Sequence, residues 1–153
     1  MKQKKTYPER QRTIGALLRT PYQHLAQEVY EQLAHKGYPE IRQSHSTVFR
    51  YILPKGSRIT EMAELAGMTK QSMASLVDHL QKHGYVQIQP DPEDGRAKQV
   101  ILTDRGKAVQ KEAMRLSKEV EKRWATILGK DEMAYLRQLL DTLYEHLSCQ
   151  DES

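Results

Sequence analysis

The chain has 153 residues, a length typical of one domain, with 38% hydrophobic residues, 29% charged residues and a formal net charge of +4. This polar composition suits a helix-rich, extended or oligomeric protein better than a compact enzyme. The first twelve residues carry five basic side chains and one acid, so they account for the whole net charge. A nucleic-acid-binding hypothesis must therefore depend on sequence pattern and not on bulk charge.

The cysteine content and the N-terminus bear on the cellular compartment. Cys149 is the single cysteine, which excludes a disulfide within the chain and suits a reducing compartment. The basic N-terminus has no apolar segment after it, so we do not expect a signal peptide. No apolar run approaches the ~18 residues of a membrane helix. We expect a cytoplasmic protein without membrane association, in which Cys149 is a passive thiol.

Apolar residues recur every three or four positions from Ile14 to Leu33, which predicts a long first helix. Pro21 follows Thr20, a cap-forming residue, and this pair predicts a kink or a break with a helix restart. Residues 41–56 predict a short helix that ends before Pro54 and Gly56, with three residues pointing inward: Val48, Tyr51 and Ile52. Residues 57–59 predict a brief strand.

A pair of helices follows. Thr60 is the expected N-cap of a short apolar helix with Met62, Ala63, Leu65 and Ala66 inward, and Gly67 predicts the tight turn after it. Thr69 is the expected N-cap of a second helix that runs to about His83. The inward stripe of this second helix is Met73, Leu76, Val77 and Leu80.

Residues 85–89 and 98–103 alternate in polarity and are rich in strand formers, which predicts a β-hairpin with a projecting tip. Asp94–Gly95 is the expected turn pair, because glycine accepts the positive φ that such turns need. Pro90 and Pro92 cannot donate to a strand ladder, so they confine pairing to the flanks.

Two helices complete the chain. Thr103 predicts the cap of a long helix that ends at Gly129, with the stripe Val109, Ala113, Leu116, Val120, Trp124 and Ile127. The last helix is expected from about Asp131 to Leu147. It carries a heptad seam, the pattern of a helix that packs lengthwise on another, at Met133, Leu136, Leu140, Leu143 and Leu147.

The order of helix, tight turn, helix and hairpin predicts a DNA-reading unit, because a major groove admits one α-helix whose first residues reach base edges. The candidate DNA contacts on the second helix are Thr69, Lys70, Gln71, Ser72, Ala74 and Ser75. Gln71 can pair with adenine, Ala74 can touch a thymine methyl group, and Ser75 can bond to either kind of partner. Thr69 and Lys70 suit phosphate oxygens.

The hairpin tip supplies one cation, Arg96, which the negative potential of a minor groove attracts. We expect Asp94 to hold its guanidinium in a fixed pose. Arg58, Lys55 and Lys98 are further candidates for phosphate contacts. The basic N-terminal tail is a weaker candidate, because a solvated, disordered terminus is its favoured interpretation. Two alternatives remain open. The loop acids could form a solvated turn, and the helix pair could be an ordinary helical hairpin or a protein-binding module.

The motifs "ITEMAELAGMTKQSMASLVDHLQKHGYV" and "DPEDGRAKQVILTDRG" resemble the multiple-antibiotic-resistance regulator (MarR) family of winged-helix transcription factors. The second motif holds a wing signature at Asp94 and Arg96 and a Leu-Thr-x-x-Gly sequence that ends at Gly106. The chain departs from many relatives at Gly95 and Ser75, where they carry arginine.

The resemblance implies one domain, 1–153, of mostly α class with a small β-hairpin (α+β). A winged helix-turn-helix lobe would occupy 45–103, and a helical dimerisation lobe would occupy 10–36 and 104–149. It also implies a homodimer that a small molecule regulates. We interpret the chain as a ligand-responsive repressor that binds a palindromic operator in double-stranded DNA, with an activator as the alternative. A small-molecule effector would bind between the lobes.

The effector candidates are aromatic or imidazole side chains on the helices expected at the lobe junction: Tyr22, His24, Tyr30, His45, Phe49 and Tyr51. Such side chains suit an aromatic or phenolic acid, although core and interface positions explain them as well.

His79 and His83 have the i, i+4 spacing of metal ligands, but further ligands are missing and a helix dipole explains His83. We expect no metal and no cofactor. The chain holds no nucleophile elbow, phosphate loop, HExxH or CxxC motif, so we expect no enzymatic activity.

Overall fold

The computed structural model describes residues 12–148, which form six α-helices, a 3-10 turn and a two-stranded antiparallel hairpin. The helices are α1 (Ile14–His35), α2 (Ser46–Tyr51), α3 (Ile59–Leu65), α4 (Lys70–Lys82), α5 (Asp104–Leu128) and α6 (Lys130–Ser148). The strands are β1 (Val86–Pro90) and β2 (Lys98–Leu102), and the 3-10 turn is Gln43–His45. The mostly helical α+β class expected from the sequence is confirmed. The chain divides into two compact units between Met114 and Arg115, and each is described by itself.

Helix α1 is continuous, so the predicted break at Pro21 is wrong. The helix begins under the Thr13 cap, whose hydroxyl accepts a hydrogen bond from the Ala16 N–H at 3.3 Å. Pro21 lacks an N–H and deprives the Leu17 carbonyl of its helical partner. Pro21 and Leu17 are both exposed, so water can satisfy that carbonyl.

The predicted cap of α3 is also wrong, because the helix begins one residue before Thr60, with Arg58 at the N-cap. The Arg58 N–H donates to Glu61 Oε2 at 3.3 Å, which supplies the capping bond from the third helical position. Met62 and Ala63 are buried as expected, whereas Leu65 is 65% exposed.

Helix α4 matches its prediction closely. The Thr69 hydroxyl accepts the Ser72 N–H at 3.1 Å, and Met73, Val77 and Leu80 are fully buried. Gly67 makes the turn after α3 with a φ of 61°, a backbone conformation that residues other than glycine rarely adopt. Burial of one stripe fixes which side of α4 faces solvent.

The hairpin pairs Val86 with Leu102 at one end and Pro90 with Lys98 at the other. The brief strand predicted at 57–59 is reduced to one bridge, in which Ser57 and Val100 exchange main-chain hydrogen bonds at 3.0 and 2.8 Å. The prediction that Gly95 supplies a positive φ in the hairpin turn is wrong, because its φ is not positive.

Helix α5 begins after Thr103, the residue predicted to cap it. The Thr103 hydroxyl accepts the Gly106 N–H at 3.1 Å. A side chain at Gly106 would collide with the main-chain carbonyl of Tyr85, so this position in the Leu-Thr-x-x-Gly sequence requires glycine.

In the second unit, the Arg137 guanidinium donates to both carboxylate oxygens of Glu121, at 2.6 and 2.7 Å, which joins α6 to the C-terminal part of α5. The heptad seam of α6 is not buried: Leu140, Leu143 and Leu147 are 40%, 54% and 61% exposed. The apolar side chains of this seam are removed from water only if another surface packs against them.

A stack of histidines connects α4 to the 3-10 turn. The His45 ring lies parallel to the His79 ring at 4.5 Å between centroids, and the His83 ring lies 4.7 Å from that of His79. His45 is buried, and its Nδ1 accepts the Arg42 N–H at 3.0 Å. Burial, reinforced by the neighbouring His79, Arg42 and His83, lowers the pKa of His45 to about 4.

We expect the pKa of His45 to make folding stability pH-dependent. Because the unfolded chain binds a proton at His45 near pH 6.5 and the folded chain only near pH 4, stability falls as pH drops through that window. The loss is at most about 3 kcal/mol. Urea unfolding of His45→Gln between pH 7.5 and pH 4 should show a flatter pH dependence than the unsubstituted chain.

The control is His35→Gln, since His35 is exposed on α1 and should leave the pH profile unchanged. Equal pH profiles for His45→Gln and the unsubstituted chain would contradict the assignment.

Candidate nucleic-acid interface

The face of α4 opposite its buried stripe is polar and open to solvent. Lys70, Gln71, Ser72 and Ser75 are exposed, and Ala74 is half-buried. These residues occupy the first turns of the helix, where side chains of a helix inserted into a major groove reach base edges. The structure thus brings together the predicted contacts on α4.

Two of these residues also have a structural role. The Thr69 hydroxyl donates to the Ser72 hydroxyl at 2.8 Å while it accepts the Ser72 main-chain N–H. This pair holds the first turn of α4 in place. Lys70 and Gln71 are the exposed long side chains at the same end of the helix.

The hairpin tip, called the wing below (residues 91–97), presents Arg96 to solvent, and Lys98 is exposed at its base. Asp94 does not hold the Arg96 guanidinium as expected. Its Oδ1 accepts the Arg96 main-chain N–H at 3.1 Å. Asp94 therefore shapes the turn by bonding to its own backbone two residues on.

Arg58, predicted as a phosphate contact, is paired with an acid of the wing. Its Nε and Nη2 lie 2.7 and 2.6 Å from Asp91 Oδ2. The hydrogen bond to Asp91 raises the pKa of Arg58. The pKa of Asp91 is lowered, first by the main-chain N–H of Glu93 and then by Arg58. No local pattern signals this pair, since the two residues are 33 positions apart.

The sequence did not predict a second group of residues that contact one another, Tyr38, Glu40, Tyr85 and Arg105. The Arg105 guanidinium lies 4.7 Å from the Tyr85 ring centroid and 5.5 Å from that of Tyr38. Tyr85 donates to Glu40 at 2.7 Å. This bond lowers the pKa of Glu40, while burial, followed by the bond to Glu40, raises the pKa of Tyr85 to about 12.

The effector candidates lie in different surroundings. Tyr22 and His24 are both exposed, Tyr22 to 50%, and the Tyr22 hydroxyl accepts a hydrogen bond from the Gln43 side chain at 3.4 Å. His45 is buried in the histidine stack. Phe49 and Tyr51 are half-buried, and the Phe49 carbonyl accepts from Gln110 at 3.3 Å. Burial also raises the pKa of Tyr30.

The pair of histidines with metal-ligand spacing is engaged with protein groups. His79 Nε2 lies 3.0 Å from the Glu40 carbonyl, and His83 Nδ1 lies 3.7 Å from Glu40 Oε1. Across residues 12–148, no group of three or more His, Cys, Asp or Glu has a geometry that could hold a metal ion. In the same range, no helix is both long enough and apolar enough to cross a membrane. Cys149 and the basic tail before Arg12 lie outside the described residues.

Residues 41–97 match the model of the MarR family. This segment contains the 3-10 turn, α2, α3, α4, β1 and the whole wing. No curated protein matches the chain.

Solved structures with this fold include transcriptional regulator Tm0710 from Thermotoga maritima, 22% identical, with a TM-score of 0.65 over 91% of this chain and 96% of that one. Apo MarR from E. coli is 21% identical, with a TM-score of 0.68 over 86% and 96%. The repressor CouR bound to a 23-mer DNA duplex is 23% identical, with a TM-score of 0.66 over 91% and 97%. Residues 41–97 therefore resemble the MarR family, and the chain has the fold of these solved transcriptional regulators.

Proposed function

We propose that the protein is a homodimeric, ligand-responsive repressor that binds an inverted repeat in double-stranded DNA. The first turns of α4 enter the major groove, and the wing places Arg96 in the adjacent minor groove. Two copies of α4 read half-sites about one helical turn, ~34 Å, apart. A cytoplasmic location follows from this role.

The observation that carries the proposal is the exposed polar start of α4 beside a wing with one exposed arginine. Met73, Val77 and Leu80 of α4 are buried in the core, and Lys70, Gln71 and Ser75 on its other side are exposed. Gln71 offers an amide that can pair with adenine, and Arg96 suits the negative potential of a minor groove. The solved complex of CouR with DNA supports the same use of this fold.

Two exposed apolar surfaces support a dimer. On α1, Ile14, Leu17 and Leu18 are 74%, 47% and 47% exposed. On α6, Leu143 and Leu147 of the heptad seam are more than half exposed. Apolar surface of this kind on a helix is covered when a second copy packs against it, and a two-fold protein matches a palindromic operator.

The proposed effector is an aromatic or phenolic acid. CouR from Rhodococcus jostii RHA1 has been solved with bound p-coumaroyl-CoA, which supports a small-molecule effector for this fold. Tyr22, His24, Phe49 and Tyr51 retain exposed surface, whereas His45 is buried. The effector releases DNA only to the extent that it binds the DNA-free state more tightly. Titration of the DNA complex with a panel of phenolic acids tests this, and a panel without any releasing compound would count against it.

Gln71→Ala should relax sequence preference, because an amide that bonds a base edge is lost. We expect binding to the selected site to weaken by about tenfold or more, with little change on random DNA. Fluorescence anisotropy with both duplexes measures the ratio. Gln81→Ala is the matched control, since Gln81 is exposed near the other end of α4. Equal losses on both duplexes would rule out base reading by Gln71.

Arg96→Ala should weaken binding to all sequences and reduce the slope of log affinity against log salt by about one, because one cation no longer displaces a counterion. Affinities measured across salt concentrations give the slope. Arg19→Ala removes an exposed cation from α1 and should change neither quantity. An unchanged slope in Arg96→Ala would remove the wing from the DNA contact.

Leu143→Glu should dissociate the dimer, because it places a charge in the apolar seam of α6. Sedimentation equilibrium should show the unsubstituted protein at twice the chain mass of 17.8 kDa and the variant closer to that mass. Gln138→Glu adds the same charge at an exposed polar position of α6 and should remain dimeric. An unsubstituted protein that sediments as a monomer would contradict the proposal.

A further inference from the structure

The wing contains three acids, Asp91, Glu93 and Asp94, in a segment proposed to approach DNA phosphates. Negative charge there opposes binding, and its presence needs a physical reason. The three acids differ in what they contact. The side chain of Asp91 is only 11% exposed, whereas Glu93 and Asp94 are exposed.

Asp91 joins the wing to the helix-turn-helix. Its Oδ2 receives both Nε and Nη2 of Arg58, the N-cap residue of α3, at 2.7 and 2.6 Å. Asp94 Oδ2 lies 3.9 Å from the same Nη2. One guanidinium at the start of α3 thus faces two acids of the wing.

The same two acids organise the backbone of the wing. Asp91 Oδ1 accepts the Glu93 N–H at 2.9 Å, and Asp94 Oδ1 accepts the Arg96 N–H at 3.1 Å. Main-chain bonds close the loop, from the Asp91 N–H to the Ala97 carbonyl at 2.9 Å and from the Ala97 N–H to the Asp94 carbonyl at 2.8 Å. Because these bonds connect the loop internally, the contact between Arg58 and Asp91 positions the whole loop that carries Arg96.

The residue before Arg58 gives a second attachment. Ser57 bonds through its main chain to Val100 of β2, and its hydroxyl donates to the Tyr51 carbonyl at 3.0 Å and accepts the Leu53 N–H at 2.9 Å. The bridge holds the middle of β2, and the ion pair holds the first residue of the wing. Two separate attachments fix the angle of the wing as well as its position.

We propose that Arg58 and Asp91 form a latch that positions the wing for DNA, and that Arg58 is a positioning residue and not a phosphate contact. The proposal rests on the proposed function, since the positioned group is the DNA-contacting Arg96. Charge-assisted bonds through two nitrogens fix geometry better than a single contact does. The guanidinium also offsets the negative charge of Asp91 and Asp94 near the phosphates.

The latch makes a prediction opposite in sign to simple electrostatics. Asp91→Asn removes a negative charge near DNA, so electrostatics alone predicts tighter binding. If Asp91 holds the wing, the same substitution weakens binding, by about three- to tenfold. Glu93→Gln is the matched control, because it removes one acid from the same loop without removing the bond to Arg58, and it should leave binding equal or slightly tighter.

The test is DNA affinity across salt for Asp91→Asn, Arg58→Gln and the double variant, with a duplex selected from random sequence. The latch predicts that both single variants weaken binding and that the double variant is no worse than either, since all three lose one contact. Arg58→Gln should leave the salt slope near that of the unsubstituted protein. Binding by Asp91→Asn that is as tight as in Glu93→Gln, or a slope reduced by about one in Arg58→Gln, would overturn the proposal.

Amide hydrogen exchange of the DNA-free protein separates this proposal from the proposed function. The N–H groups of Asp91 and Ala97 should exchange faster in Asp91→Asn and Arg58→Gln, and at the unsubstituted rate in Glu93→Gln. Unchanged exchange in the first two variants overturns the latch even if the protein binds DNA. A protein that binds no DNA while its exchange changes as predicted overturns the proposed function and leaves the latch of the wing in place.

Discussion

The structure of the first unit depends on the burial of one side of α4. Met73, Val77 and Leu80 have no exposed surface, so rotation of this helix about its axis would expose apolar side chains and bury Lys70 and Gln71 without partners. Burying unpaired polar groups and exposing large apolar ones both cost free energy. The Thr69 cap fixes where the helix begins. Orientation and start together determine which side chains a duplex could meet.

The wing depends on contacts between residues far apart in the chain. The Ser57–Val100 bridge holds the middle of β2, and Arg58 holds Asp91, the first residue of the wing. The start of α3 and the wing therefore form one assembly beside α4. Two of the three loop acids, which are unfavourable on a DNA-binding surface, have internal partners: Asp91 bonds Arg58, and Asp94 bonds the backbone of Arg96. Arg96 of the wing and Lys98 at the start of β2 are both exposed.

Local signals predicted most of the fold. Thr69 and Thr103 cap the helices they were expected to cap, because a hydroxyl at that position satisfies main-chain N–H groups that the helix itself leaves free. Periodicity found the buried side of α4 and the apolar seam of α6. The prediction of a helix break at Pro21 was wrong. The effect of a proline depends on whether water can reach the carbonyl that it leaves without a partner, and the sequence does not show whether that carbonyl is exposed. The cap at Thr60 failed because the side chain of Glu61 serves the N–H of Arg58 one residue earlier.

The candidate site was predicted in part. The exposed residues of α4 follow from its period, and Arg96 follows from its place at the tip of a hairpin. The partner of Arg58 could not be found from spacing, since it depends on how the hairpin folds back over the start of α3. Glu40, Tyr85 and Arg105 meet through the same kind of long-range packing, and no motif relates them.

The central claim is that the polar start of α4 lies against the bases of a duplex. It is tested most directly by photocrosslinking from a photoreactive side chain placed at position 71, with position 138 on α6 as the reference. The account predicts crosslinks from position 71 to bases of one half-site and none from position 138. Crosslinks from position 138 with none from position 71 would contradict it.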